Sequence, residues 1–131
     1  MRTHVAARIA AVLLALEGLA IVGLVIWQIG ALVSGDTDSI ESAIALVVLT
    51  AVGAVAVLAF AVVTWRGESW GRSGGIVVQL LILAVALGAV TGAYADAETG
   101  VILAVPAIVT LVLLVIAVRA AGREARDAAS E

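Results

Sequence analysis

The chain has 131 residues, 64% of them hydrophobic and 13% charged, with a formal net charge of -3. A soluble domain of this length leaves much of its surface in water, so composition argues against a water-soluble fold. With no cysteine and one histidine, His4, on the N-terminal tail, it also argues against disulfides, thiolate chemistry and a multi-ligand zinc site.

Arg2 and Arg8 introduce the first apolar run, residues 9–33. That run is far longer than the h-region of a secretory signal and closes on no small-x-small cleavage site, so we read it as a retained helix. It carries Glu17. With Arg8 at the interface and a rise of about 1.5 Å per residue, Glu17 lies roughly 13 Å deep. An ionised carboxylate is costly there, and no span supplies a cation to offset it. One expectation is a proton-coupled or cation-binding site; the other, which we favour, is a neutral carboxylic acid bridging two helices. Gln28 follows eleven residues later on the same face, near the outer interface.

Residues 34–41 carry three acids and no base, and lead into a second span, 43–64, that contains no charge. Thr50 lies within it, and Phe60 is the one ring expected inside any span. The following segment, Trp65-Arg66-Gly67-Glu68-Ser69-Trp70-Gly71-Arg72-Ser73-Gly74-Gly75, reads as a loop. Its Trp65, Arg66, Trp70 and Arg72 suit anchoring at lipid headgroups. Its glycines make no nucleotide-binding fingerprint, because no strand precedes them and no P-loop lysine follows.

The third span, 75–94, places Gln79 seven residues past Arg72 and so about 10 Å deep, a depth similar to that of Glu17. We expect the two to face each other. Gly88 and Gly92 form a GxxxG extended backward by Ala84, a spacing that lets helices approach closely; packing inside the bundle is expected, with a dimer as the alternative. After Asp96 and Glu98 comes the fourth span, 101–118. Pro106 there frees the carbonyl of Ile102, and Thr110 is expected to satisfy part of that defect or, like Thr50, to bond back to its own helix. Residues 119–131 read as a short charged cytoplasmic helix at the headgroups, with Arg119 and Arg123 as further anchors.

Four runs of roughly 20 apolar residues, none alternating polar with apolar, predict four transmembrane helices rather than barrel strands. All seven arginines fall before the first span, between the second and third, or after the fourth, while the other two connections are purely acidic. The positive-inside rule then puts both termini in the cytoplasm. The expectation is an all-α, up-down-up-down, four-transmembrane-helix bundle as a single membrane domain, N-in and C-in. Trp27 and Tyr94 near the outer ends, with Trp65 and Trp70 at the inner face, match the aromatic belts of such a protein.

The WRGESWGRS segment between the second and third spans, with Arg8-Ile9-Ala10 through Leu16-Glu17-Gly18-Leu19, resembles small four-helix integral membrane proteins of actinobacteria. The arginine-only basic set and the Ala/Val bias also suit a GC-rich bacterium, hence an inner (plasma) membrane. The resemblance implies topology and lineage and carries no activity with it.

Functionally the residues point to a non-enzymatic membrane protein, a packing or accessory partner for other components, since no nucleophile, base and orienting group converge. No cofactor, metal or nucleic acid is expected; the partners are lipids, another membrane protein or a second copy. The competing reading is a small proton-coupled transporter using Glu17 as an oligomer. One-sided arginines oppose the antiparallel dual-topology form of such a dimer, and the lack of rings within the spans opposes binding of organic cations.

Overall fold

The computed structural model describes residues 2–93 and 95–131, without the side chains of Arg2 and Thr3. The expected place of Tyr94 in an outer aromatic belt lies outside the described residues. Four α-helices account for the fold: α1 (Arg2–Val33), α2 (Ile40–Trp65), α3 (Ser69–Thr91) and α4 (Ala97–Ser130). All four are long and apolar enough to cross a membrane, and no strand occurs among the described residues. This is the all-α four-helix bundle that hydropathy predicts.

Helices outrun the expected spans at six of the eight boundaries; α1 ends with its span at Val33, and α3 stops at Thr91, short of the expected 94, where Gly92 caps it. Hydropathy marks the portion that can lie in hydrocarbon, whereas the backbone ladder continues until a cap or a turn ends it. Ser39, in an extended conformation, starts α2 by accepting from the Ser42 N–H, and Asp96 starts α4 by accepting from the Glu98 N–H. The expected loop of residues 65–75 shrinks to Arg66, Gly67 and Glu68, with Gly67 at φ +81°, a left-handed turn that glycine adopts without strain. The C-terminal charged segment is not a separate helix. It continues α4, whose 34 residues span about 51 Å, against roughly 30 Å of hydrocarbon.

Each helix packs on its two neighbours in a ring, α1 on α2 and α4, α3 on α2 and α4, so α1 and α3 stand diagonally across the core. Both termini and the α2–α3 turn share one end, here the arginine end; the α1–α2 and α3–α4 connections form the acidic end. Near the arginine end, fully buried Leu14 and Leu114 meet over Gly75, where an added Cβ would come within 3.0 Å of Leu114 and 3.2 Å of Leu14. Gly71, one turn earlier, brings α3 against the backbone of α2: a Cβ there would lie 2.7 Å from the Thr64 nitrogen.

The close-approach glycines of α3 are therefore Gly71 and Gly75, at the spacing of a GxxxG, with Gly74 set against the Phe60 ring, and not Gly88 and Gly92. Gly88 is exposed, with nothing within 4 Å of where its Cβ would stand, and Gly92 ends the helix by donating its N–H to the Gly88 carbonyl. Packing inside the bundle through Gly88 and Gly92 is thus corrected. The physical reason is phase: the buried face of α3 runs through Gly71, Gly75, Gln79 and Ala86, and Gly88 lies off it.

Candidate intramembrane polar site

Glu17 sits on the face of α1 that carries buried Ala10 and Leu14, one turn beyond Leu14 toward the acidic end. Beside it, buried Gly18 lets α2 approach: a Cβ at Gly18 would meet the Leu58 side chain at 2.6 Å. The carboxyl group thus points into the bundle at a level where α1 and α2 are nearly in backbone contact. Across the diagonal, wholly buried Gln79 donates its Nε2–H to Glu17 Oε2 at 2.6 Å. From α4, wholly buried Thr110 points its hydroxyl at Glu17 Oε1, 3.3 Å away.

Three helices therefore converge on one carboxyl group. Gln79 and Glu17 come together, as their similar depth leads one to expect. The third participant was missed. Thr110, expected to satisfy the carbonyl freed by Pro106 or to bond back to its own helix, instead turns its hydroxyl inward to Glu17; Thr50 does bond back, to the Leu46 carbonyl at 2.7 Å. The missed signal was depth, since Thr110 lies nine residues from Arg119, as Glu17 does from Arg8. α4 runs as α-helix through Pro106, which is exposed.

Glu17 itself is only partly buried, and Gln79 Oε1 is buried with no hydrogen-bond partner. The arrangement holds one carboxyl group, one amide and one hydroxyl, with no histidine, cysteine or second acid beside them. A group of three or more metal-ligating His, Cys, Asp or Glu residues does not occur among the described residues. The site can hold a proton and the hydrogen bonds that link α1 to α3 and α4.

Of the six expected headgroup anchors, four do more than face outward. Arg72 donates from Nη1 to the Gly67 carbonyl at 2.7 Å and so secures the turn. Trp70 donates its indole N–H to Glu68 at 2.7 Å and meets Phe60 edge-on, with ring centroids 6.1 Å apart. Trp65 takes the Arg8 guanidinium over its ring at 5.4 Å, and with Arg66 it rims an apolar groove of about 280 Å³ between α1 and α2. Arg119 and Arg123 are exposed near the end of α4, and with Arg126 they border a basic hollow of about 320 Å³. At the acidic end, Gln28 and exposed Trp27 line a groove of about 420 Å³ shared with Asp36, Asp38 and Ser42.

Comparison with models of protein families, with curated proteins and with solved structures finds no match to this chain.

Proposed function

We propose that this chain is a non-enzymatic multi-pass protein of a bacterial inner (plasma) membrane, both termini cytoplasmic, serving as a packing or accessory partner for other membrane components. The observation that carries this reading is the clasp. Glu17, the one ionisable side chain at mid-span depth, is engaged by α3 and α4, and so ties three helices together without presenting reacting groups to a substrate. The bundle also leaves small residues unused: Ala84 and Gly88 of α3 face outward, a surface that a neighbouring helix can approach closely. One-sided arginines support the orientation, and the WRGESWGRS loop supports the actinobacterial lineage.

Affinity isolation in mild detergent tests this. A membrane protein should co-purify in fixed ratio and be lost when Gly88→Leu blocks the outward face of α3. A chain that always elutes alone from native membranes, with its lipids retained, removes the reading. A single cysteine placed at Asp36, in a chain with none of its own, should be labelled only from outside intact cells; labelling only from within reverses the orientation.

A second reading keeps one specific support. Gln79 Oε1, buried and unpartnered beside a partly exposed carboxyl group, suits a small proton-coupled transporter working as an oligomer. Proton-linked flux in reconstituted vesicles, abolished by Glu17→Gln in a folded protein, would favour it over the accessory role.

A further inference from the structure

The apolar groove between α1 and α2 has a floor of buried alanines, Ala11 and Ala61, and walls of Val12, Leu58 and Val62. From Leu58 to Trp65 it runs seven residues along α2, roughly 10 Å. Spread over that length, its volume of about 280 Å³ leaves a cross-section of roughly 30 Å², against roughly 80 Å² for a helix about 10 Å across. The groove takes a hydrocarbon chain lengthwise and is too narrow for a helix. Its mouth is charged. Trp65 and Arg66 close the arginine end, and the Arg8 guanidinium lies over the Trp65 ring at 5.4 Å. The ring meets that charge without offering an oxygen acceptor, which leaves the N–H donors of Arg8 for an anion. Glu68, the only acid between Glu41 and Asp96, is engaged by the Trp70 indole.

We propose that this groove binds one anionic phospholipid of the leaflet at the arginine end, with one acyl chain lying over Ala11 and Ala61 and the phosphate held by Arg66 and Arg8. An acyl chain gains no hydrophobic energy by leaving other chains for the groove, because lipid tails are as apolar as leucine. Selection therefore rests on the headgroup. Guanidinium N–H donors match phosphate oxygens, and a headgroup of net negative charge is favoured over a zwitterionic one, whose own ammonium offsets the phosphate.

The groove supplies position, since a chain lying in it brings its phosphate to these two arginines. Arg119, Arg123 and Arg126 border a basic hollow on α4 along which Val118 is the one apolar side chain. They attract anionic lipid without fixing a chain. A selective site for a single lipid goes beyond outward anchoring at the headgroups. It does not rest on the accessory role and requires only that the helices span a bilayer.

The test is native mass spectrometry of the detergent-purified chain, titrated with phosphatidylglycerol or phosphatidylcholine of identical acyl chains. One phosphatidylglycerol should bind about tenfold more tightly than phosphatidylcholine, and soluble glycerol phosphate should not displace it. Arg66→Gln and Arg8→Gln should each weaken phosphatidylglycerol about fivefold and leave phosphatidylcholine unchanged. Arg119→Gln combined with Arg123→Gln, which removes charge away from the groove, should leave the single tight lipid in place. Ala15→Leu fills the groove and should weaken both lipids. Arg8 and Arg66 are exposed, so their variants keep the fold and decide the matter even where Ala15→Leu does not fold. Equal binding of the two lipids, uptake of many lipids with no preferred first one, or displacement by glycerol phosphate would each overturn the proposal. So would a selectivity that survives Arg66→Gln and Arg8→Gln and falls with the α4 arginines.

Discussion

From its start to Gly18, α1 buries Ala6, Ala10, Leu14 and Gly18 among others; from there to Val33 none of its residues is buried. The same border crosses the whole bundle at the level of Glu17. Toward the arginine end, Leu14 and Leu114 fill the space over Gly75, and Val57 and Ala61 of α2 close the layer. Toward the acidic end the buried residues are Ala54, Ala86, Gly100 and Ala107, all small, while Leu24, Leu49 and Leu87 point away from the bundle. In hydrocarbon an outward leucine carries no hydrophobic penalty, so helix association depends on packed side chains, close backbones and polar bonds. One half has all three; in the other, close approach is left to Gly100 of α4, where a Cβ would run into the Val90 side chain and lie 3.2 Å from the Ala86 carbonyl oxygen of α3, together with the two hairpins and their caps. The polar site lies on the border, where rigid packing supports it from one side and looser packing leaves it reachable.

The largest expected effect tests that border directly. Leu14→Ala and Leu114→Ala each open a cavity in the packed half and should cost about 2–5 kcal/mol. Leu24→Ala and Leu87→Ala, in the looser half, should fall within about 0.5 kcal/mol. Reversible unfolding in mixed micelles measures all four, and similar losses in the two halves would erase the distinction. Next in size are the glycines. Gly71→Ala sets a methyl against the α2 backbone and should cost about 1–3 kcal/mol, whereas Gly88→Ala, with open space around it, should leave the monomer's stability unchanged.

That pair of glycines also marks what could be read from residues alone. Hydropathy found the four helices because apolar runs of this length have one economical structure in a bilayer. Counting residues from the arginines found the Glu17–Gln79 pair because helical rise converts sequence position into depth. Close approach was misassigned because Gly71 and Gly75 sit in a polar, arginine-bearing stretch that reads as loop. Only the short turn at Gly67 and the helix start at Ser69 put them on a helix face. Thr110 was lost to a local argument about Pro106, although the same depth count would have placed it beside Glu17.

The clasp should give a smaller effect than the core. Gln79→Leu keeps the volume and removes the bond to Glu17, and should cost about 0.6–2 kcal/mol, the range of interhelical hydrogen bonds in bilayers. Because Gln79 lies at the border, the loss should loosen amides of α1 beyond Gly18 more than those around Leu14. Hydrogen exchange read by residue distinguishes the two. Uniform loosening would mean that the packed half depends on the clasp and not the reverse.

The smallest effect belongs to the acidic end. The Thr99 hydroxyl, together with the backbone N–H of Glu98, donates to the Asp96 carboxylate and holds it below the ordinary aspartate value of 3.8. A carboxyl group depressed in the folded state stabilises above its ordinary value and loses that contribution as pH falls through its folded one. Acidification from neutrality should therefore fray the first turn of α4, seen as faster exchange at residues 97–100 after correction for intrinsic rates. Asp96→Asn, which still caps a helix, should retain protection there and lose the pH dependence. An unchanged pH response in Asp96→Asn would remove Asp96 as its source. If the Leu14–Leu114 layer loosened together with that turn, the two halves would be a single cooperative unit, and the border at Glu17 a difference of packing without a difference of stability.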